Sequence, residues 1–166
     1  INQKGGVGKT TTIINLAAGL SQLKKKILVI DLDPQGNATT GLGLSNMDNS
    51  SDTIYGVLNG TKEISEVIKK TQFENLDIIT SNVDLSGLEV ETADDSNRAF
   101  ILKAKLAPYL NNYRGSYDYV LIDCPPSLSL LTVMALVCSN SLLVPLQTEF
   151  FALEGLTQLM KTIERI

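Results

Sequence analysis

The sequence contains no histidine, only two cysteines and no hydrophobic run long enough to cross a bilayer. Without histidine, every catalytic or zinc-binding scheme that uses an imidazole is excluded. Cys124 and Cys138 are too far apart for a C-x-x-C motif, so reduced, buried thiols are favoured over a disulfide or a metal site. A membrane-spanning helix needs roughly 20 consecutive apolar residues, and no segment approaches that length.

Positive charge is also scarce, because 14 Lys and Arg residues stand against 18 Asp and Glu residues and leave a net charge of −4. This balance argues against a broad electropositive surface, although a local basic patch remains compatible with it. A length of 166 residues predicts a single domain that spans residues 1–166. No basic, alanine-terminated leader is present, so a cytoplasmic protein is expected.

Residues 4–11 read KGGVGKTT, which is typical of a phosphate-binding loop that continues into a helix. Three glycines within four positions allow the backbone N–H groups to face one centre. Lys9 is placed to neutralise the β- and γ-phosphates, and the Thr10 hydroxyl is placed to ligate Mg²⁺. The positive end of the helix faces the phosphates. The predicted nucleotide-binding residues of this loop are Lys4, Gly5, Gly6, Val7, Gly8, Lys9, Thr10 and Thr11.

The loop and the residues before it differ from the usual pattern of a phosphate-binding loop. The strict pattern G-x-x-x-x-G-K-[ST] needs glycine where this chain has Gln3, and a second lysine, Lys4, lies inside the loop. A phosphate loop of this kind follows a buried strand, and residues 1–3 are at most the end of one. We therefore expect the sequence to be a fragment that lacks its first strand.

The rest of the sequence alternates between short apolar runs and helical periodicity. Strands are predicted at 27–30, 76–79, 119–122 and 141–146, and helices at 10–23, 52–70 with a break at Asn59-Gly60, 98–110, 128–137 and 149–166. The segment 31–46 is predicted to be an irregular functional loop, and 81–95 a loop with a helical turn. This alternation predicts an α/β fold with a parallel β-sheet and helices on both faces.

Three aspartates follow predicted strands, where parallel sheets bind their ligands. Asp123 is placed like a Walker-B aspartate that holds Mg²⁺ directly or through water. Asp33 is the candidate for orienting the attacking water. Asp31, two residues earlier, is expected to hydrogen-bond the loop or the waters of the metal. An aspartate taken alone is more typical of a turn at the end of a strand, and the phosphate loop beside it is what favours metal or water binding.

The second lysine of the loop suggests a dimer. Lys4 would crowd Lys9 if both contacted the same phosphate, so it is expected to point elsewhere. A suitable target is the nucleotide of a second subunit, where a lysine can act in trans as an arginine finger does. The alternative for Lys4 is an ordinary solvent-facing charge.

Four segments resemble one protein family. NQKGGVGKTTT at 2–12, DLDPQGNATTGLG at 31–43, DYVLIDCPPSL at 118–128 and VPLQTEFFALEGL at 144–156 are similar to the ParA/Soj chromosome- and plasmid-partitioning ATPases. This family is a branch of the deviant Walker-A class of P-loop NTPases, to which MinD and the nitrogenase iron protein also belong. The resemblance extends along the whole sequence and implies a P-loop NTPase fold that is truncated here at both ends.

The resemblance implies an ATP-dependent switch with ATP and Mg²⁺ as cofactors. Lys4 matches the lysine that reaches the partner's phosphates, Lys9 the lysine that acts within the subunit, and Asp33 the aspartate that positions the water. Thr10 and Asp123 match the metal-binding residues, and Glu149 lies where relatives contact the partner's nucleotide. A homodimer formed on ATP binding, non-specific DNA and a ParB-type protein are the implied partners. Family members continue beyond Ile166, and the missing part carries much of the DNA-binding surface.

Three other functions share parts of this pattern. A MinD-like positioning ATPase has the same loop and dimer but uses a C-terminal amphipathic helix to bind membranes. An electron donor like the nitrogenase iron protein would need cysteines at a shared cluster, and Cys138 instead lies in an apolar helical stretch. A nucleotide-dependent ligase or kinase would need an acceptor pocket that the sequence does not mark. No stable membrane association is expected, and the ATP-bound form is expected at the nucleoid.

Overall fold

The computed structural model describes residues 8–44, 50–112, 116–145, 160, 161 and 164. One sheet organises them. It is built from β1 (Ile27–Asp31), β2 (Ile68–Lys70), β3 (Leu76–Ile79) and β4 (Tyr119–Asp123), in the order β2-β3-β1-β4. β1 pairs in parallel with both β3 and β4, whereas β2 is an antiparallel edge strand. This mostly parallel sheet confirms the predicted fold class.

Helices precede, connect and follow the strands. The described α-helices are α1 (Lys9–Gln22), α2 (Asn37–Gly41), α3 (Ile54–Leu58), α4 (Ile64–Val67), α5 (Leu88–Glu91), α6 (Ile101–Asn112) and α7 (Leu130–Cys138). Single 3₁₀ turns occur at Ser50–Asp52, Val83–Gly87 and Arg98–Phe100. The predicted helices at 10–23, 98–110 and 128–137 and the strands at 27–30, 76–79 and 119–122 are therefore confirmed within a few residues.

The side chains of β1 alternate between two hydrophobic cores, one on each face of the sheet. Leu28 and Ile30 contribute to a core that also contains residues of α3 to α7. Ile27 and Val29 contribute to the opposite core, which contains residues of α1 and α2. All five residues of β1 are buried, as expected for a parallel strand that is covered on both faces. Helices on both faces are thus confirmed.

The predicted helix at 52–70 is wrong at its C-terminal end. The break at Asn59-Gly60 is confirmed, with Gly60 at φ 82°. α4 is closed at its N-terminus by a capping box between Glu63 and Glu66 and ends after one turn. Ile68 to Lys70 then pair with β3 as a strand. A short apolar–polar pattern fits both helix and strand, and here pairing with β3 determines the outcome.

Two other predictions need correction. The segment 31–46 is not entirely irregular, because α2 forms within it. The predicted strand at 141–146 is wrong for the residues that the structure describes, since Ser141 to Pro145 form neither helix nor strand. Leu142 and Leu143 are exposed, so this apolar run does not adopt the buried arrangement that its composition predicted.

Some predictions fall on residues outside the described ranges. The strand that would end at residues 1–3 is one, and so is nearly all of the predicted helix at 149–166, of which Met160 and Lys161 are helical. The prediction for the cysteines is confirmed, because both are free thiols, with Cys124 buried and Cys138 partly buried.

Candidate functional site

The carboxyl ends of β1 and β4 bring two of the three predicted aspartates together. Asp31 and Asp123 are directly opposite each other in the parallel register. The next residue of the first segment, Leu32, donates its N–H to the Asp123 carbonyl oxygen at 2.9 Å. Asp33 follows and is also buried, and its negative charge acts on Asp123. The expected convergence of the aspartates at this edge of the sheet is present.

Asp123 is a fully buried carboxylate at the end of β4. Neither of its two oxygens has a hydrogen-bond partner in the part of the chain that the structure describes. Burial raises the pKa of Asp123, and the neighbouring charge of Asp33 raises it further, while the Thr10 hydroxyl and the Lys9 ammonium act in the opposite direction. Thr10 and Lys9 therefore lie close to this carboxylate, as the phosphate-loop prediction required.

The N-terminus of α1 is arranged as an anion site. Gly8 precedes the helix at φ 83°, a left-handed conformation that favours glycine, and gives it no side-chain cap. The first helical hydrogen bond runs from the Thr12 N–H to the Gly8 carbonyl oxygen at 2.8 Å. The N–H groups of the first turn therefore have no partner within the helix, and the helix dipole adds positive potential there. A phosphate group accepts hydrogen bonds from such N–H groups, and its negative charge is stabilised by the positive potential.

Asp33 lies in a tight turn that fixes its backbone. Its Oδ1 atom accepts the Gln35 N–H at 2.9 Å, and its carbonyl oxygen accepts the Gly36 N–H at 2.9 Å. Such an Asx turn explains why aspartate is favoured here. Among the described residues, no hydrogen bond reaches the Oδ2 atom of Asp33. One carboxylate oxygen thus holds the turn and the other is left for a ligand or a water molecule.

The Asp31 carboxylate holds the segment that follows its own strand, and its predicted contact with the phosphate loop or the waters of the metal stays a prediction. Its Oδ1 atom accepts the Asp33 N–H at 3.1 Å. Its Oδ2 atom accepts both the N–H and the hydroxyl of Thr39, at 2.8 and 2.7 Å. Burial raises the pKa of Asp31 to about 6 despite these hydrogen bonds. The carboxylate is therefore committed to holding the loop in place.

Sequence reasoning missed Thr39 and Ser81. The Thr39 hydroxyl accepts the Ser81 N–H at 3.1 Å and links the segment after β3 to the loop after β1. Both residues are fully buried. In the sequence they stand in polar stretches that resemble ordinary loops, and no local pattern distinguishes a buried polar contact between residues so far apart in the chain.

The remaining predicted site residues lie outside the described ranges. Lys4, Gly5, Gly6, Val7 and Glu149 belong to this group, and their roles stay predictions. Gly8, Lys9, Thr10 and Thr11 are described at the start of α1, and Lys9 and Thr10 lie near Asp123. The structure thus contains the helix end, the strand ends and the aspartates of the predicted site.

The residues present fit a magnesium ion. Carboxylate and hydroxyl oxygens are the side-chain ligands that Mg²⁺ prefers, usually together with waters and phosphate oxygens. Asp123 supplies two oxygens without hydrogen-bond partners beside the Thr10 hydroxyl. Among the described residues, no group of three or more His, Cys, Asp or Glu side chains could hold a metal ion.

A cavity lies at the amino-terminal ends of the strands, opposite the candidate site. It has a volume of about 790 Å³ and is lined by residues that precede β1, β3 and β4, among them Lys26, Phe73 and Tyr117. Its lysines are balanced by Glu74 and Asp77, so it has no charge preference that would indicate a ligand class.

Over the described residues, none of the helices combines the length and the apolar character needed to cross a membrane.

Comparison with known proteins identifies the family of the chain. The family model of an AAA domain matches residues 1–166. The chain is 50% identical over 165 residues to the chromosome partitioning protein ParA of Caulobacter vibrioides, covering 99% of this chain and 61% of that protein. It is 46% identical over 165 residues to the sporulation initiation inhibitor protein Soj of Bacillus subtilis, covering 99% of this chain and 63% of that protein. The chain thus spans less than two thirds of these relatives.

Solved structures have the same fold. A cobyrinic acid a,c-diamide synthase from Mycobacterium smegmatis, bound to an ATP analogue and magnesium, is 38% identical with a TM-score of 0.89 over 99% of this chain and 65% of that one. An ATP complex of a McdA variant from Cyanothece is 27% identical with a TM-score of 0.88 over 99% of this chain and 61% of that one. The resemblance to the ParA/Soj proteins is confirmed, and the chain belongs to the AAA domain family whose model it matches from end to end.

Proposed function

We propose that this chain is the nucleotide-binding part of a partitioning ATPase. It binds ATP with Mg²⁺, dimerises in the ATP-bound state and hydrolyses ATP slowly. The single observation that carries the proposal is the buried, unpartnered carboxylate of Asp123 beside Thr10 and Lys9. A buried carboxylate without partners is costly for the fold alone, and a nucleotide-bound Mg²⁺ would compensate it.

Each residue of the site has a distinct task in this proposal. Lys9 and the N–H groups at the start of α1 bind the phosphates and neutralise their charge. Thr10 and Asp123 hold Mg²⁺, Asp123 directly or through water. That ion neutralises charge as it develops on the phosphate oxygens. Asp33 orients the attacking water through the carboxylate oxygen that the turn leaves without a hydrogen bond.

The partners are inferred from the ParA and Soj relatives. ATP binding builds a homodimer in which Lys4 contacts the partner's phosphates and Glu149 lies near the partner's nucleotide. The dimer binds DNA without sequence preference, largely through regions that this chain does not include. A ParB-type protein stimulates hydrolysis and releases the dimer from DNA. The expected location is the cytoplasm, with the ATP-bound form at the nucleoid.

Two other functions are weaker. A MinD-like membrane-positioning ATPase is not favoured, because the Caulobacter relative, at 50% identity, is a chromosome partitioning protein. An ATP-dependent ligase has one observation behind it, the similar structure of a diamide synthase. That protein is 38% identical, compared with 50% for the Caulobacter partitioning protein. Partitioning is therefore better supported than an ATP-dependent ligase activity.

The ATPase rate of the full-length protein tests this proposal. We expect slow hydrolysis of Mg²⁺-ATP that rises when DNA and a ParB-type partner are added together. Lys9→Ala should lose ATP binding, whereas Lys25→Ala, which removes an exposed lysine beyond α1, should behave like the unmutated protein. An unchanged rate with DNA and partner would contradict the proposal. So would ATP-dependent sedimentation with vesicles but not with DNA, or an acceptor product formed in step with ADP.

The role of Lys4 has its own test. Lys4→Ala should retain nucleotide binding by the monomer and lose dimerisation on ATP, because the side chain is proposed to contact the partner's phosphates. Light scattering with a slowly hydrolysed ATP analogue measures the dimer fraction, and Lys24→Ala is the matched control. If the dimer yield of Lys4→Ala equals that of the control, the role in trans is wrong.

A further inference from the structure

The segment from Asp31 to Thr39 is closed on itself by one carboxylate. At one end, Asp31 accepts the N–H of Asp33. At the other end, Asp31 accepts the N–H and the hydroxyl of Thr39. Asp33 lies between these two attachments, so its position relative to the sheet depends on both. The first attachment is local, whereas the second spans the whole turn.

The Thr39 hydroxyl connects this segment to a second strand. A backbone N–H can only donate, so the hydroxyl accepts from Ser81, and its own hydrogen is donated to Asp31. Ser81 lies two residues beyond the end of β3, the strand that pairs with β1. One hydroxyl therefore links the segments that follow two neighbouring strands. All three residues are buried, and hydrogen bonds are electrostatically stronger there than in water.

Helix α2 depends on these contacts for its position. It has five residues, and its N-cap residue, Gly36, supplies no side-chain cap. An isolated helix of this length is not stable in water. Apolar packing also supports α2, because Ala38 and Leu42 belong to the core that also contains residues of α1. Gly41 lies so close to α1 that a Cβ atom there would overlap the Ile14 side chain. Thr39 is the polar attachment of this helix.

We propose that Thr39 is a positioning residue for Asp33 and acts through the segment that Asp31 closes. The inference rests on the proposed ATP hydrolysis and adds a residue to that site. Thr39 does not itself touch the reacting atoms. Without its hydroxyl, α2 and the turn can shift relative to the sheet and move the Asp33 carboxylate away from the water. Displacements of about 1 Å at a catalytic group can cost roughly 10²-fold in rate.

The test compares three variants of the full-length protein. Thr39→Val removes the hydroxyl and keeps the shape, and Thr39→Ser keeps the hydroxyl. Thr40→Val is the matched control, because among the described residues the Thr40 hydroxyl bonds only to the carbonyl oxygens of Gly36 and Asn37, at the start of its own helix. We expect Thr39→Val to lower kcat roughly tenfold to a hundredfold with little change in the KM for ATP. Thr39→Ser and Thr40→Val should stay close to the unmutated kcat.

A second measurement does not depend on activity. Amide hydrogen exchange of the nucleotide-free protein reports on the N–H groups of Asp33, Gln35 and Gly36, which are hydrogen-bonded in the turn. Exchange across residues 33–36 should be faster in Thr39→Val than in Thr40→Val. Equal exchange in the two variants would overturn the positioning role even if the protein proved not to hydrolyse ATP.

The kinetic outcomes separate this inference from the proposed function. No hydrolysis by the unmutated protein would refute the ATPase proposal. Normal hydrolysis by both the unmutated protein and Thr39→Val would refute only the role of Thr39. A raised KM at constant kcat would assign Thr39 to binding and also overturn positioning. If Thr39→Val and Thr39→Ala both failed to fold by circular dichroism, the hydroxyl would serve stability, and the positioning role would be wrong.

Discussion

The ends of β1 and β4 carry the same residue type in two different states. Asp31 and Asp123 face each other in the sheet, and each is 0% exposed. Asp31 accepts three hydrogen bonds from the loop that follows it. Asp123 accepts none from the described residues through either oxygen. Residue type, burial and strand position are shared, so only the hydrogen-bond partners distinguish the two carboxylates.

This difference separates a carboxylate that maintains the fold from one that is available to a ligand. Burial raises the pKa of both side chains. At Asp31, hydrogen bonds to Thr39 and Asp33 offset part of the cost of burying the charge. At Asp123 the nearby Thr10 hydroxyl and Lys9 ammonium lower the pKa in part, but burial still raises it, and a buried charge that is not fully compensated weakens a fold. Its two oxygens, which have no hydrogen-bond partner among the described residues, are the ones for which we propose contact with Mg²⁺.

The largest effect is expected from Asp123→Asn. This change removes the charge with little change in shape. The kcat for Mg²⁺-dependent ATP hydrolysis should fall roughly a thousandfold, which corresponds to a loss of several kcal/mol of transition-state stabilisation. The nucleotide-free protein should become more stable, because a buried, unpartnered charge is lost. Steady-state ATPase assays and urea unfolding of the full-length protein measure the two effects.

Asp31→Asn is the natural control for this experiment, because it changes the opposite residue in the register. It should not remove Mg²⁺ binding, since Asp31 is committed to the loop. If Asp123→Asn retained normal hydrolysis, or if both variants lost Mg²⁺ binding equally, the distinction between the two carboxylates would be wrong.

The second largest effect concerns the pH dependence of stability. The pKa of Asp31 is raised from 3.8 to about 6 in the folded protein, so the folded state binds the proton more tightly than the unfolded state. The free energy of unfolding should therefore fall as the pH rises from about 4 to about 6, by about 3 kcal/mol in total from this residue. Above that range, the loss is complete. Urea unfolding of the nucleotide-free protein at several pH values measures this change in the free energy of unfolding.

Asp31→Asn should flatten this part of the pH profile. Asp94→Asn removes an exposed carboxylate and should retain the profile of the unmutated protein. A raised pKa of Asp123 gives a slope of the same sign, so Asp31→Asn is expected to reduce the slope rather than abolish it. An unchanged slope in Asp31→Asn would show that another group controls stability in this pH range.

The sequence was sufficient for the features that local chemistry determines. The continuous apolar runs identify β1 and β4, and the glycine-rich loop identifies the start of α1. The position of Asp33 and Asp123 after these strands then follows from the geometry of parallel sheets. These features depend on residues close together in the chain, so a single sequence contains the necessary information.

The missed features depend on contacts between distant segments. Ile68 to Lys70 become a strand because β3 is available for pairing, and the sequence pattern there also fits a helix. α2 forms in a predicted loop, where Thr39 bonds to Asp31 and Ala38 packs against the core beside α1. The difference between Asp31 and Asp123 is of the same kind, since both follow apolar strands and only tertiary contacts give one of them partners.

The smallest effect is expected from a further buried carboxylate, which lies away from the site. Asp77, in β3, accepts the Tyr117 hydroxyl at 2.8 Å and the Lys70 ammonium at 2.8 Å. The Lys70 side chain is 85% exposed, so its ion pair contributes little. Tyr117→Phe should therefore lower the free energy of unfolding by about 1 kcal/mol, the typical net value of one hydrogen bond, and leave ATP hydrolysis unchanged.

Tyr119→Phe is the matched control for this change, because Tyr119 is half-exposed in β4 and its hydroxyl has no hydrogen bond among the described residues. Its stability should change by less than about 0.5 kcal/mol. Asp77 resembles Asp31 in having partners supplied by the chain, so it is expected to support the fold alone. If Tyr117→Phe slowed ATP hydrolysis while Tyr119→Phe did not, a partnered carboxylate at the far edge of the sheet would influence the site, and hydrogen-bond partners would no longer separate structural from functional aspartates.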